Sequence, residues 1–152
     1  MGQLSLTRPQ KTAAVPKTSS NTPTNRLQHD HEPTPGETMP NTPNLVLLWS
    51  SRDPEVFQQL VAMYARNSLR NGWWDRVRLI IWGPSAQVAA EDAPVQALLD
   101  ELQSDGVELL ACQRCAENYG VSATLADLGI DVQYMGQPLT DMLQSGWHCL
   151  TF

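Results

Sequence analysis

The sequence predicts an α/β fold with three α/β/α layers and a five-stranded, mainly parallel sheet at its centre. Three observations predict it. Five short apolar runs recur, over Leu45–Trp49, Val77–Trp82, Val107–Ala111, Val132–Met135 and Trp147–Phe152. Turn-forming residues close the early ones, as in Ser50-Ser51-Arg52-Asp53-Pro54 and Gly83-Pro84-Ser85. The stretches between runs carry apolar residues at helical spacing. A run apolar on both of its faces belongs to a strand covered by helices on each side, and regular alternation of strand and helix implies parallel pairing.

Each element has its own signal. After the first run, Asp53 is a candidate N-cap with Pro54 in the first turn, and Phe57, Leu60, Val61 and Tyr64 form the apolar stripe. Gly72 ends that helix. After the second run the helical stretch breaks near Pro94, and its second part places Val95, Leu98, Leu99 and Leu102 on one side. Gln113–Leu128 reads as helix, interrupted by Gly120, with Ser122 as the cap of a second piece. Leu139–Leu143 is a short helix before the last strand.

Composition divides the chain near Pro43. The whole chain has 152 residues and a formal charge of −6. Residues 1–43 hold seven of the eleven prolines and little large apolar surface, so they are expected to form a disordered Pro/Thr/Ser-rich tail. Leu4–Leu6 is too short for a secretory core, Leu6 stands where myristoylation wants a hydroxyl, His29 and His31 read as solvated, and Met39 is a candidate start. The domain over 44–152 holds six Arg, no Lys and thirteen acidic residues, with every Trp, Tyr, Phe and Cys of the chain. A domain this acidic is a poor match for a phosphate backbone, which argues against nucleic acid as a partner. No run reaches the ~18 apolar residues of a membrane span. Three cysteines, two of them only three residues apart, argue against a disulfide scaffold and for a reducing, cytoplasmic setting.

Ligands of such sheets gather beyond the carboxyl ends of the strands. That selects the loops Ser50–Pro54, Gly83–Ser85, Cys112–Cys115 and Gly136–Pro138, together with the C-terminus. None carries the dinucleotide fingerprint, the nucleotide-phosphate loop or the nucleophile elbow. Nor do they offer a flavodoxin's glycine-rich phosphate loop, or a phospho-receiver's acid cluster and lysine. The expected cofactor is therefore none, and no metal is expected either. Cys112 stands where the third strand passes into a helix, and free amides with the positive helix end favour a thiolate there by ~0.3–1 kcal/mol. Arg114 adds charge nearby. Cys112 and Cys115 are the candidate reactive residues, and Ser50, Ser51, Gly83, Ser85 and Arg114 are expected to line the opening. Cys149, inside the last strand, reads as core. His148 is the domain's one histidine. It points to the opposite face from Cys149, so the two make a poor zinc pair.

These segments resemble the DsrE/DsrF-like (YchN-type) sulfur-relay family over nearly all of Asn44–Phe152. The resemblance is strongest in the first strand, in Arg78-Leu79-Ile80-Ile81-Trp82-Gly83-Pro84-Ser85, in Gly106–Val121, and in Tyr134-Met135-Gly136 leading to Leu139-Thr140. The family's sulfur-carrying cysteine lies after the third strand, eight residues before a glycine, and Cys112 and Gly120 match that spacing. Cys115 corresponds to a second cysteine found in some members. The resemblance implies a homo-oligomer, trimeric or hexameric, and a sulfurtransferase passing a cysteine persulfide between donor and acceptor proteins.

Two other readings stand beside this one. The domain is a non-catalytic oligomeric module binding a small ligand or protein at the same edge, or Cys112 and Cys115 cycle as a C-x-x-C dithiol. Trp82 and Trp147 flank strand ends and read as core. Adjacent Trp73 and Trp74 cannot both point inward, so one is expected at a subunit interface.

Overall fold

The computed structural model describes residues 43–152. The expected disordered tail lies outside them. Five strands form one sheet: β1 (Leu45–Trp49), β2 (Val77–Ile81), β3 (Glu108–Cys112), β4 (Asp131–Gln133) and β5 (His148–Thr151). Their spatial order is β4-β3-β2-β1-β5, and every pairing is parallel.

The helices follow from this order. A continuous helical stretch joins α1 (Pro54–Val56), a π-helical segment (Phe57–Ala62) and α2 (Met63–Arg70). Next come α3 (Ser85–Glu91), α4 (Ala93–Ser104), α5 (Gln113–Tyr119), α6 (Ser122–Asp127) and α7 (Gly136–Gln144). The steps β1 to β2 to β3 to β4 all move one way across the sheet, so right-handed crossovers put α1 to α6 on a single face. The return from β4 to β5 runs the other way, and α7 alone covers the second face.

Packing shows the same asymmetry. Leu45, Leu47, Trp49, Leu79, Ile81 and Leu109 belong to a large core with Phe57, Val61, Val95, Leu99, Leu102 and Leu125. A smaller cluster on the other face joins Val46, Ile80, Leu110 and Cys112 to Met135 and Met142.

The expected caps are partly realised. Asp53 accepts from the Glu55 amide at 2.9 Å with Pro54 at the first turn, and Asp92 caps α4 through the Val95 amide, also at 2.9 Å. Asp92 is thus the break near Pro94. Gly120 ends α5 in the left-handed conformation, at φ 68°, where a β-carbon would be strained. Ser122 is not a cap. It is the first residue of α6, Val121 holds the cap position, and no side chain bonds the helix end.

Two other expectations need correction. Leu60 leaves the first helical stripe and is 49% exposed, because the π-helical segment widens the turn and puts Ala62 inward beside Val61. Cys149 is exposed rather than core, because β5 is an edge strand whose four residues are all exposed. Trp73 is exposed at 54%, while Trp74 is half-buried, donates to the Tyr64 hydroxyl at 3.3 Å and meets the His148 ring at a tilt, 5.1 Å between centroids. Trp82 and Trp147 are half-buried against the smaller cluster.

Candidate functional site

The chain diverges at the carboxyl ends of β3 and β4. After β3 it enters α5 on the thickly covered face, and after β4 it enters α7 on the other. Such a divergence opens a crevice at the strand ends, where side chains can meet from both directions.

Cys112 is the last residue of β3 and the N-cap of α5, with extended backbone (φ −70°, ψ 113°). Its register partner Gln133 and its neighbours Ile80 and Leu110 place it on the second face. There it packs in the small cluster with Met135, and Trp82, Cys115 and Leu139 lie against that cluster. Cys112 is 6% exposed, so it forms the floor of the site rather than its rim. Its side chain makes no hydrogen bond to the first amides of α5, contrary to the helix-end expectation.

Cys115 lies one helical turn on and is half-buried. Burial pushes its thiol up from the ordinary range, the hydrogen bond to Cys112 and that residue's charge push the same way, and the Gly83 amide opposes them. Gly83 can aim its amide this way because it turns off β2 at φ 69°, a conformation that suits glycine.

The remaining candidates separate into those that meet at the crevice and those that do not. Arg114 is there: its guanidinium lies 5.9 Å from the Tyr134 ring centroid and pairs with Glu117 at 3.3 Å. Ser85 is not there. It is fully buried, donating to the Trp49 carbonyl at 2.6 Å and accepting from the Trp82 amide at 3.1 Å, so it ties β1 to β2. The Ser50 hydroxyl donates to the Phe152 carbonyl at 2.9 Å and holds the chain's end. Ser51 accepts from the Asp53 amide in the α1 turn. All three serines therefore serve the backbone at the strand exits.

Trp82, Met135 and Leu139 pack in the cluster with the two cysteines, exposed Tyr134 lies beside Arg114, and none was singled out as a site residue from sequence. Strand parity is the signal that finds the first: Trp82 follows Ile80 by two, so it extends the face that holds Cys112. An open groove of about 380 Å³ is lined by Arg52, Pro54, Gln87, Val88, Glu91 and Asp92, and contains neither cysteine. Among the described residues, no group of three or more His, Cys, Asp or Glu is arranged to hold a metal, and no helix is long and apolar enough to cross a membrane.

The profile of the DsrE/DsrF-like family matches residues 59–152, well over half of the chain. The chain belongs to the DsrE/DsrF-like family. A conserved protein of unknown function from Bacteroides thetaiotaomicron is similar at 39% identity, with 72% of this chain and 94% of that one covered and a TM-score of 0.69. A protein of unknown function from Methanobacterium thermoautotrophicum shares the fold at 20% identity and a TM-score of 0.62, covering 72% of this chain and 99% of its own. The ychN protein of E. coli does so at 16% identity and a TM-score of 0.56, over 73% and 99%. No curated protein matches the chain.

Proposed function

We propose that this DsrE-like chain is a cytoplasmic sulfur carrier that holds sulfane sulfur as a persulfide on Cys112 and passes it to a partner. The observation that supports this best is the thiol pair itself. Cys112 and Cys115 face one another at the divergence of β3 and β4, beside a backbone amide and within a small apolar cluster. In the loading step, the Cys112 thiolate attacks the outer sulfur of a donor persulfide. A new S–S bond forms, the donor's S–S bond breaks, and the donor leaves as a thiolate. Delivery is the reverse exchange with an acceptor thiolate. An S–S bond adds about 2 Å of reach, carrying the terminal sulfur from the apolar floor toward Cys115 and the mouth. Burial of the inner sulfur keeps water and oxidants from it, while the transferable atom stands forward.

The same proposal includes assembly with further copies of the chain. β5 is exposed in the single chain, with Cys149 on the second face and Leu150 on the first, and would suit a covered interface. Donor and acceptor are taken to be proteins that reach the strand-end mouth.

A second reading rests on one specific observation. The 6% exposure of Cys112 also fits a cysteine that merely packs, in a module that binds without chemistry. Transfer to cyanide separates the two. The persulfide-loaded protein is expected to convert cyanide to thiocyanate in about one equivalent per reactive Cys112, and Cys112→Ser is expected to lose that yield. Unchanged thiocyanate from Cys112→Ser would leave the packing reading standing.

A further inference from the structure

Cys115 has no place in the loading and delivery steps, yet its thiol is turned toward Cys112 and the Gly83 amide. Both side chains share one apolar cluster, with Trp82, Met135 and Leu139 around them. The two cysteines stand at the cap position and the third position of one helix, neighbours on its first turn. A sulfur so placed lies beside the inner sulfur of any persulfide on Cys112. The third cysteine, Cys149, is on the edge strand at the far side of the sheet, four strand positions from β4, and cannot take this role.

Resting on the carrier reading, we infer that Cys115 is a resolving thiol that discharges an undelivered persulfide from Cys112 as hydrogen sulfide. The Cys115 thiolate attacks the inner sulfur of Cys112, the Cys112–S–SH bond breaks, and its outer sulfur leaves as HS⁻. A Cys112–Cys115 disulfide remains. The two cysteine sulfurs are oxidised by one electron pair and the sulfane sulfur takes that pair, so the step needs no outside oxidant. The proton leaving Cys115 is balanced by the one that HS⁻ takes up to become H₂S.

The surroundings set the rate of this side reaction. Burial and the neighbouring sulfur keep Cys115 mostly protonated near neutral pH, so discharge is slow there and delivery to a partner competes well. Rising pH frees the Cys115 thiolate and speeds discharge. A carrier left loaded, with no acceptor in reach, empties itself and closes as a disulfide. Any pathway served by this chain would then need a reductant of the dithiol class to reopen it.

The test uses the full chain in a Cys149→Ser background, so that only the pair can react, with inorganic polysulfide as the sulfur donor. After the donor is removed, intact mass and released sulfide are followed with time. The parent is expected to lose its adduct of about +32 Da and become about 2 Da lighter than the reduced protein, with one equivalent of sulfide released. Cys115→Ser is expected to keep the adduct at least about tenfold longer, and the parent's discharge is expected to speed up as pH rises. Equal adduct lifetimes in the two proteins, without a lighter species, would overturn the resolving role and leave the carrier reading intact. Failure of both proteins to take up sulfur would overturn the carrier reading and this inference with it. Cys115→Ala provides the same comparison should the serine variant fold poorly.

Discussion

The two faces of the sheet are built from the same five strands and treated very differently. On one face Leu47, Leu79 and Ile81 are fully buried beneath six helices and the π-helical segment. On the other, a single helix, α7, brings Met142 and Leu139 over Val46, Ile80, Leu110 and Cys112, while Cys149 and Thr151 of β5 are exposed. The first face carries the stability of the domain. The second is thin enough to hold polar groups: Arg78 pairs with Glu108 there at 2.7 Å, and its guanidinium lies 4.7 Å from the Trp147 ring centroid. Separating the two roles lets the Cys112 sulfur sit in a small apolar cluster of its own, apart from the main core.

Core truncations on each face should break or sharpen this contrast most strongly. Leu79→Ala, in the enclosed core, is expected to cost about 4 kcal/mol in urea unfolding. Met142→Ala, under one helix that can settle inward, is expected to cost about 2 kcal/mol. Equal costs would mean the two faces are equally tight. Ser85→Ala comes next. Loss of its buried hydroxyl leaves the Trp82 amide without that acceptor, so about 1–2 kcal/mol is expected. An effect within error would show that the tie between β1 and β2 is dispensable.

The smallest effect concerns Glu108. Partial burial pushes its carboxyl up, but hydrogen bonds from Arg78 and Arg76 and their charges outweigh it and hold the carboxyl below the usual range. A carboxylate lowered on folding adds stability above the ordinary carboxylate range and loses it as pH falls through the folded value. Glu108→Gln is therefore expected to cost under about 1 kcal/mol at neutral pH, since the pair is partly exposed to solvent. The difference from the parent should vanish in acid, read as a closing gap in melting temperature. A gap that stays constant with pH would show the pair contributes through packing alone.

Much of the architecture was legible because the strands announce themselves. Leu45-Val46-Leu47-Leu48-Trp49 is apolar at every position, and β1, β2 and β3 begin within a residue of the expected places. What local pattern cannot reveal is which face receives which helices. That depends on the order β4-β3-β2-β1-β5, a long-range property, and it is why Cys149 looked like core while lying on a bare edge strand. The π-helical turn that expels Leu60 also has no signal in apolar spacing. For the site, Cys112 and Cys115 were visible as residue types at a strand exit. The serines misled because hydroxyls at strand ends suit backbone carbonyls as well as ligands, and Ser85 and Ser50 are taken up that way. The polar pair Arg78 and Glu108 was the overlooked sign of the thin face, since each interrupts an apolar strand at register-matched positions.

Intact mass spectrometry of the reduced chain after brief exposure to a persulfide donor tests the central claim most directly. The account predicts one added sulfur, about +32 Da, that maps to the peptide containing Cys112 and disappears in Cys112→Ser. Sulfur found only on the exposed Cys149, or an equal adduct on Cys112→Ser, would contradict it.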